Sequence, residues 1–441
     1  MSWKKDKDCC SWDGVTCDSV TGYVIGLDLS CSWLYGNIPS NTSFFLLPQL
    51  KKLNLAFNDF KLSKISPDFG RITSLTHLNL SFSNFSGHIP FEISHLSKLV
   101  TLDLSSNYFE IDSFSVRIER PVFERLVQNL TMLKDLVLHH VDMSSIVPSS
   151  MKNLSSSLTY LSLWYCKLQG NFPVDVFRLP NLQILQLRVN FNLTSHFPKS
   201  NWSTPLKSLD VSDMSMSEQL PNSINNLLYL KELFLDNCTL GGSVPTILRN
   251  LTQLTSLSLS YNEFNGQIPS FLSNLANLQD LCLSNNNFIG QFPEFFFNLT
   301  QLQSLSLSRN QLTGPIPSFL LNLVNLQQLY LRNNSFIGQL PEFFSNLTQF
   351  QYLDLSINQL TGPIPSSLFQ LVSLKGLDLS SNSLSGIIEF HMFSKLKNLW
   401  YLSLSHNNLF VTTTGFNVNS SFLNLNLCIY LLATLVNSQV S

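Results

Sequence analysis

The sequence predicts an α/β repeat fold, a solenoid of about 16 coils in which the first strand of each coil joins one concave parallel β-sheet. The pattern LxxLxLxxNxLxGxIP recurs, and its first position lies 24 residues after the previous one at seven successive steps, from Leu206 to Leu374. Within each unit, hydrophobic and polar residues alternate as in a strand with one buried face. One unit cannot bury its leucines alone, so stacked units must share a core.

The units predict three regions along the chain. Residues 1–23 would form a cysteine-containing cap, residues 24–421 the repeats, and residues 422–441 a degenerate, uncapped tail. Outside the regular series, units begin at Val24, Leu50, Leu75, Leu99, Leu133, Leu158, Leu182 and Leu399. One elongated solenoid therefore replaces the roughly three compact domains that a length of 441 residues suggests.

The asparagine of each unit is expected to hydrogen-bond the backbone of the neighbouring coil. Asn310 is an example. Loss of such a partner leaves a buried backbone group unpaired, which lowers the free energy of unfolding by about 1–3 kcal/mol. Other residues take its place at Val141, Cys166, Met214 and Cys238. Cysteine is tolerated there in a structural role, and we expect less regular coils from about residue 130 to 240.

The spacing from Leu99 to Leu133 is 34 residues and contains an insert at about residues 110–132. The insert is rich in charged residues, and Pro121 precedes a run of hydrophobic residues with helical spacing. This pattern predicts a short amphipathic helix with proline in its first turn. We interpret the insert as a longer excursion on the convex side; the alternative is a protruding interaction element.

Composition and motifs indicate a non-enzymatic protein. Charged residues form 12% of the chain and the net charge is −2, so no basic face for nucleic acid is expected. HExxH, GxSxG, GxGxxG, Walker and CxxC motifs are absent from the sequence. Adjacent strand residues such as His139 and His140 face opposite sides and cannot easily share a metal ion. Four cysteines lack the paired spacing typical of zinc sites: Cys9, Cys10, Cys17 and Cys31. The sequence therefore predicts no catalytic residue, cofactor or metal.

Neither an export signal nor a membrane anchor is predicted. Met1 is followed by a charged stretch rather than a hydrophobic core region. The hydrophobic run from Phe422 to Val436 has 15 residues and contains Asn424 and Asn426, whereas a bilayer span needs about 20 hydrophobic residues. Exposed leucines in the last coil predict that residues 410–441 are poorly ordered or make the isolated chain insoluble.

The LxGxIP motif inside a 24-residue unit resembles the plant-specific class of leucine-rich repeats. The segment CCSWDGVTCDSVTGYVIGLDLSCSWLYGNIP (Cys9 to Pro39) looks like the second half of the N-terminal cap of plant receptor-like proteins, and LVQNLTMLKDLVL is similar to that family too. The resemblance implies a right-handed solenoid and a disulfide between Cys10 and Cys17. It leaves Cys9 without its expected partner.

The same resemblance implies a glycoprotein ectodomain on the extracellular side of the plasma membrane. Such ectodomains sense microbial, damage-derived or peptide ligands, lack a kinase and signal through partner receptor kinases. The family also has a signal peptide, further repeats and a membrane span, so we interpret this sequence as a truncated product. Two alternatives are a secreted inhibitor of microbial cell-wall-degrading enzymes, built on the same repeat, and a non-functional receptor fragment.

N-glycosylation is expected if the protein enters the secretory pathway. NLT or NLS recurs at one point of the unit, on the convex side, whereas Asn79 lies on a strand and is expected to be the exception. The expected sites are Asn41, Asn84, Asn129, Asn153, Asn192, Asn201, Asn237, Asn250, Asn298, Asn333, Asn346 and Asn419.

A ligand, whether peptide, protein or glycan, is expected on the concave strand face of the middle units. From Leu254 onward the solvent-facing strand positions are mostly serine, whereas earlier units carry residue types common in binding hot spots. The proposed ligand-binding residues are His139, Tyr160, Trp164, Tyr165, Arg188, Glu232, Phe234 and Asp236. The alternative is that Trp164 or Tyr165 packs over a neighbouring coil. A second candidate group is Tyr330, Arg332, Tyr352 and Asp354.

Overall fold

A computed structural model describes residues 3–4, 6–107, 114–216, 219–342, 347 and 349–412. The chain divides into two compact units, Met1–Leu230 and Lys231–Ser441. The tail predicted at residues 422–441 lies outside the described residues, as do Asn346 and Asn419. Among the residues described, no helix is long and hydrophobic enough to cross a bilayer.

The described part of the first unit contains one α-helix, α1 (Arg120–Asn129), and fourteen short strands. In chain order the strands are β1 (Val15–Cys17), β2 (Val24–Asp28), β3 (Lys52–Asn54), β4 (His77–Asn79), β5 (Gly87–His88), β6 (Thr101–Asp103), β7 (Val116–Arg117), β8 (Asp135–Val137), β9 (Tyr160–Ser162), β10 (Gln169–Asn171), β11 (Ile184–Gln186), β12 (Asn192–Ser195), β13 (Ser208–Asp210) and β14 (Ser215–Met216).

The first strands of the coils form a parallel ladder, which we call the front ladder. After the antiparallel pair β1–β2, the order is β2, β3, β4, β6, β8, β9, β11 and β13, with leucine opposite leucine at every step. These leucines are buried, and the residues on either side of each leucine form the opposite face of the ladder. We call that opposite face the strand face.

Later strands of the same coils form a second ladder, which is interrupted in the first unit. Strand β5 pairs with β7, and β10, β12 and β14 form a separate sheet. Short 3₁₀ segments help to close the coils: Ser43–Leu46, Pro67–Arg71, Phe91–His95, Pro148–Asn153, Val174–Arg178 and Asn222–Asn226. The insert forms α1, whose Phe123, Leu126 and Val127 are buried, in agreement with the predicted amphipathic helix.

The second unit repeats the same coil with greater regularity. Its front ladder consists of β15 (Glu232–Phe234), β17 (Ser256–Ser258), β19 (Asp280–Cys282), β21 (Ser304–Ser306), β23 (Gln328–Tyr330), β25 (Tyr352–Asp354), β27 (Gly376–Asp378) and β29 (Tyr401–Ser403). Its second ladder consists of β16 (Gly241–Gly242), β18 (Glu263–Gln267), β20 (Asn287–Gln291), β22 (Gln311–Pro315), β24 (Ser335–Gln339), β26 (Gln359–Gly362), β28 (Ser383–Glu389) and β30 (Asn408–Thr412). The 3₁₀ segments are Thr246–Asn250, Ser270–Asn274, Glu294–Asn298, Ser318–Asn322, Ser366–Gln370 and Phe390–Lys395.

A buried asparagine ties neighbouring coils together, as the sequence predicts. The Nδ2 of Asn286 donates to the carbonyl oxygens of Leu259 (2.9 Å) and Leu283 (3.2 Å), and its Oδ1 accepts the backbone N–H of Phe264 at 3.0 Å. Each amide thus fixes backbone groups in the coil before it and in its own coil. Amides at this position also bond across coils at Asn58, Asn107, Asn190, Asn262, Asn310, Asn334, Asn358, Asn382 and Asn407.

In coils without the asparagine, the residue at its position makes only some of the same hydrogen bonds. Cys166 donates from Sγ to the carbonyl oxygen of Leu138 at 3.2 Å, and burial raises the pKa of its thiol so that the proton stays in place. Ser83, which the sequence analysis did not single out, occupies the same position and donates to the carbonyl oxygen of Leu55 at 2.7 Å. The second strands have two to four residues up to β16 and four to seven from β18 onward, so the irregular region includes the early coils too.

The N-terminal cap contains a disulfide between Cys10 and Cys17, with the Cα atoms 5.6 Å apart, as the family resemblance implies. Cys9 is a free thiol. The stacked rings of Trp3 and Trp12 lie 5.0 Å apart, and the indole N–H of Trp3 donates to the carbonyl oxygen of Asp13 at 3.0 Å. The cap is thus held by a covalent bond and by aromatic packing.

The residue before the asparagine position has a left-handed backbone in every coil, with φ between 49° and 61°. Glycine and asparagine tolerate this conformation, whereas a β-branched residue is strained in it. The sixteen residues are Cys31, Phe57, Phe82, Ser106, His140, Tyr165, Val189, Asp213, Asn237, Tyr261, Asn285, Arg309, Asn333, Ile357, Ser381 and His406. Val189 and Ile357 are β-branched, so these two positions store backbone strain.

Replacement of Ile357 by asparagine should therefore raise the free energy of unfolding by about 0.5–1 kcal/mol. The equivalent residue of the preceding coil is already Asn333, with φ at 55°. Chemical denaturation checks the prediction, with Val372→Asn as the control because Val372 is exposed and has no positive φ. Equal effects of the two substitutions would contradict the assignment of strain to Ile357.

Candidate functional site

Four of the predicted ligand-binding residues lie on consecutive coils of the first unit. Tyr160 is on β9, and the other three follow front strands in successive coils. The backbone N–H of His140 donates to the carbonyl oxygen of Trp164 at 3.1 Å, and that of Tyr165 donates to the carbonyl oxygen of Arg188 at 2.9 Å. These bonds set the three coils side by side. We call the group His139, Tyr160, Trp164 and Arg188 the strand-face patch.

The ring of Trp164 is stacked on His139, with centroids 5.5 Å apart and an interplanar angle of 18°. The indole Nε1 of Trp164 is shielded from solvent, and no hydrogen-bond partner for it occurs in the described part of the chain. The indole is half-buried, so it both packs on the neighbouring coil and retains accessible ring surface. Trp164 therefore packs over the neighbouring coil, as the alternative stated, and still exposes part of its ring to solvent.

Tyr160 and Arg188 supply polar groups to the patch. The hydroxyl of Tyr160 donates to Oε1 of Gln186 at 3.1 Å, and burial together with Asp103 and Asp135 raises the pKa of this phenol, so it remains protonated. Arg188 is exposed, and its guanidinium makes neither a hydrogen bond nor an ion pair with any described residue. Its donors are therefore free to bind an acceptor on a ligand.

Tyr165 has mainly a packing role. Its ring lies 5.0 Å from His140 and 5.1 Å from Phe114, and Nζ of Lys167 lies 3.9 Å from the centroid of the Phe114 ring. Phe114 belongs to the insert, so the insert reaches the turn that carries Tyr165. Sequence reasoning did not identify Phe114, because nothing in the repeat pattern fixes where an insert folds back.

The remaining three predicted residues belong to the second unit. Glu232 and Phe234 flank the buried leucine of β15 and are half-buried. Asp236 follows the strand, and its Oδ1 accepts the backbone N–H of Ser260 at 2.7 Å and the hydroxyl of Ser258. One oxygen of this carboxylate is thus already engaged by the next coil.

The second candidate group contains an internal polar network. Nη1 of Arg332 lies 2.8 Å from Oγ of Ser356 and 3.9 Å from Oδ2 of Asp378, a residue paired in register with Asp354. The hydroxyl of Tyr401 donates to Oδ2 of Asp378 at 3.0 Å. Burial raises the pKa of Asp354, opposed by its bonds to Ser356. Because these groups already bond to one another, the network has fewer donors available to a ligand than the guanidinium of Arg188 has.

The two histidines of the patch region are poor bases. Burial, reinforced by the neighbouring His140, lowers the pKa of His139 to about 4, and burial also lowers the pKa of His140. Nδ1 of His139 lies 3.3 Å from Oγ of Ser106. At neutral pH, His139 is therefore an uncharged aromatic ring that supports Trp164.

The described part of the chain contains one cluster of cysteine, histidine or carboxylate groups close enough to hold a metal ion, formed by Cys9, Cys10 and Cys17. Two of its three sulfurs are joined in the cap disulfide, which leaves a single free thiolate ligand. The cluster is therefore a poor metal site in this state.

Most of the expected glycosylation sites within the described residues are exposed: Asn41, Asn153, Asn192, Asn201, Asn237, Asn250, Asn298 and Asn333. Three end a 3₁₀ segment, at Asn153, Asn250 and Asn298. Asn84 and Asn129 are half-buried, and their Nδ2 atoms donate to Asp59 (2.9 Å) and to the carbonyl oxygen of Ser94 (3.0 Å). Asn79 is half-buried on β4.

Family models match three parts of the chain. The leucine-rich repeat region matches residues 204–414, a leucine-rich repeat matches residues 74–96, and the leucine-rich repeat N-terminal domain matches residues 1–18. With the two ladders described above, these matches define a leucine-rich repeat protein.

Two relatives indicate which kind of leucine-rich repeat protein this chain resembles. Receptor-like protein 6 of Arabidopsis thaliana is 43% identical over 235 residues, which are 53% of this chain and 23% of the relative. Receptor-like protein Cf-9 of Solanum pimpinellifolium is 43% identical over 232 residues, 52% of this chain and 26% of the relative. The chain is similar to plant leucine-rich repeat receptor-like proteins over about half of its own length, and it spans about a quarter of the length of these two relatives.

A solved structure with the same fold is that of the Arabidopsis receptor kinase HAESA in complex with the peptide hormone IDA and the co-receptor SERK1. The similarity covers 92% of this chain and 82% of that chain, with 27% identity and a TM-score of 0.51. The fold of this chain is therefore that of a plant receptor ectodomain.

The Trp164→Ala substitution should raise the pKa of His139 from about 4 towards its ordinary value near 6.5, because the indole that shields the imidazole is removed. NMR titration of His139 checks this, with Tyr160→Phe as a control that keeps the Trp164 ring. The wild-type chain should also lose stability as the pH falls from about 6.5 towards 4, since only the unfolded chain binds this proton there. An unchanged pKa in the Trp164→Ala variant would contradict the stacking account.

Proposed function

We propose that this chain is an extracellular recognition module of a plant cell-surface receptor-like protein. It binds a microbial, damage-derived or developmental peptide on the strand face of its first unit and acts with partner receptor kinases. The module itself carries out no chemical reaction. Its binding surface is preformed, so association costs little conformational entropy of the protein.

The observation that carries this proposal is the strand-face patch. Trp164 and Tyr160 offer aromatic surface, and Arg188 adds a guanidinium without a partner among the described residues. Tryptophan, tyrosine and arginine are the residue types most enriched in binding hot spots. Their backbones are fixed by hydrogen bonds between coils, so the three side chains are held on a rigid scaffold.

The comparisons support a peptide as the ligand class. HAESA, which shares the fold, was solved with a peptide hormone and a co-receptor bound. An extended peptide suits a ladder of adjacent coils, because each coil presents side chains about 4.8 Å from those of the next. The proposal extends to a plasma-membrane location and to partner kinases because the chain is similar to receptor-like proteins.

The patch is tested by binding of a pool of synthetic peptides, drawn from secreted plant and microbial proteins, to the immobilised full chain. Any peptide that binds the wild-type chain should bind the Tyr160→Ala, Trp164→Ala double variant at least tenfold more weakly, because its aromatic anchors are lost. Arg188→Gln should weaken binding of peptides that carry a carboxylate opposite the guanidinium.

Arg249→Gln is the matched control, since Arg249 is exposed but lies on a 3₁₀ segment away from the strand face. This variant should keep wild-type affinity. The proposal fails if no peptide of the pool binds, or if the peptides that bind keep their affinity for the double variant.

Passage through the secretory pathway is tested by glycosylation. In protein secreted from plant cells behind an added signal peptide, Asn250→Gln and Asn298→Gln should each remove the mass of one glycan on a gel, because both side chains are exposed. Asn79→Gln should leave the mobility unchanged, since Asn79 is half-buried on β4. Glycosidase treatment that does not alter the mobility of the wild-type protein would contradict the expected modification.

A further inference from the structure

The strand face of the first unit contains a cavity of about 360 Å³ beside the N-terminal cap. Its lining comes from β1 in the cap and from the front strands β2, β3, β4 and β6. Gly26 on β2 lines it, whereas the residues paired with this position on the next two strands are Lys52 and His77. We call this cavity the cap-side pocket, and its volume lies within the range of ligand pockets.

Gly26 keeps the cap-side pocket open. Its backbone does not have the positive φ that favours glycine, so backbone geometry does not explain the residue. A Cβ atom at this position would lie 3.1 Å from Cβ of Thr16 and 3.9 Å from Cβ of Lys52. Any larger side chain would therefore occupy the pocket.

Two asparagines line the pocket with amide groups that the fold uses only in part. Oδ1 of Asn79 accepts the backbone N–H of Ser81 at 2.9 Å, and Oδ1 of Asn54 accepts that of Ala56 at 3.1 Å. These bonds fix the turn after each strand and require only an oxygen. The Nδ2 atoms of both side chains make no hydrogen bond with any described residue, so both can donate to a ligand.

Other coils make the same bond with aspartate. Oδ1 of Asp103 accepts the backbone N–H of Ser105 at 3.0 Å, and Oδ1 of Asp28 accepts that of Ser30 at 3.1 Å. The further examples are Asp210, Asp354 and Asp378. The turn therefore does not require asparagine at positions 54 and 79, and what asparagine adds is a hydrogen-bond donor at the wall of the pocket.

Lys52 supplies a positive charge to the pocket. It is exposed, and its ammonium group makes neither a hydrogen bond nor an ion pair with any described residue. Burial and this ammonium lower the pKa of His77, opposed by Asp135, so the imidazole is uncharged at neutral pH. The hydroxyl of Thr76 donates to the carbonyl oxygen of Lys51 at 3.0 Å. It therefore accepts the Nδ1–H of His77 at 2.8 Å, which leaves a lone pair on Nε2.

These groups favour a singly charged, planar anion. In register along four front strands the row is Asp28, Asn54, Asn79 and Asp103, so the two amides lie between two acidic side chains. A doubly charged phosphate would be repelled by both acidic groups, and the pocket has one lysine to offset its charge. A carboxylate carries one charge and accepts hydrogen bonds from several donors. A peptide also brings N–H groups that can donate to Nε2 of His77.

We propose that the cap-side pocket binds the carboxylate of an acidic residue of the peptide ligand. The carboxylate accepts hydrogen bonds from Nζ of Lys52 and from Nδ2 of Asn54 and Asn79. This inference rests on the proposed function, since it gives the same peptide a second contact. Strand β3 lies four steps of the front ladder from β9, which carries Tyr160, a distance of about 19 Å. About six residues of an extended peptide cover that distance.

The probe is N-acetyl-aspartyl-methylamide, a single acidic residue with blocked ends, added to the full chain with isotopically labelled asparagine. The side-chain amide NMR signals of Asn54 and Asn79 should shift until the pocket is saturated. The neutral N-acetyl-asparaginyl-methylamide should bind at least tenfold more weakly, because it has no charge. Lys52→Met and Asn79→Asp, both read at the Asn54 signal, should each weaken binding of the acidic probe at least tenfold. Asn79→Asp keeps the turn oxygen, as Asp103 does, which guards against misfolding.

Lys51→Met is the matched control and should leave binding of the probe unchanged. Lys51 is exposed and removes the same charge, but it does not line the pocket. The Tyr160→Ala, Trp164→Ala double variant should also bind the probe as the wild-type chain does. Failure of the cap-side pocket and failure of the strand-face patch are thus read separately. Peptides of the pool that bind and contain aspartate or glutamate should bind Lys52→Met at least tenfold more weakly than wild type.

The inference is overturned if the acidic probe leaves the signals of Asn54 and Asn79 in place. It is equally overturned if Lys51→Met and Lys52→Met weaken binding to the same extent. Tighter binding of glucuronate than of the acidic probe would overturn the assignment to a peptide and favour an acidic sugar. A glycan found on Asn79 would also contradict the inference, because it would occupy the pocket.

Discussion

The buried asparagine amide at the turn of each coil is the interaction on which the rest of the structure depends. Asn286 bonds to Leu259 and Leu283 and accepts the N–H of Phe264, so one side chain fixes backbone groups of two coils. A coil buries leucines only against its neighbours, and the amide holds those neighbours in register. Where the amide is missing, the front ladder persists because leucine still opposes leucine. The second ladder is interrupted beside Ser83 and beside Cys166, whereas β12 and β14 still pair across the coil that carries Met214.

One interruption of the second ladder lies between the coils that carry His139 and Trp164. In the second unit, strands β18 to β28 are paired on both sides, so the second ladder is continuous there. The Leu133 and Leu158 coils lack the asparagine, and they carry His139 and Trp164, whose rings are stacked. The proposed ligand-binding residues His139 and Trp164 thus lie in coils that lack the asparagine hydrogen bonds.

The periodic features could be predicted from the sequence, because period two and the 24-residue repeat fix which residues are buried. The front strands, the role of Asn310 and the helix after Pro121 are examples. Contacts that depend on a departure from the repeat could not be predicted. The packing of Phe114 against Tyr165 is an example, because it results from where the insert folds back. Ser83 stands at the asparagine position of a regular unit, so the repeat itself indicates its cross-coil hydrogen bond.

The most direct test of the account is the stability of Asn286→Asp compared with Asn287→Asp. The first change keeps the shape but replaces two buried N–H donors by an oxygen that faces carbonyl groups, while the second alters an exposed side chain on β20. The account predicts that Asn286→Asp lowers the free energy of unfolding by about 3 kcal/mol or more and speeds exchange of the Phe264 amide. Asn287→Asp should change the free energy by no more than about 0.5 kcal/mol. Equal effects of the two substitutions would contradict the central role of the buried amide.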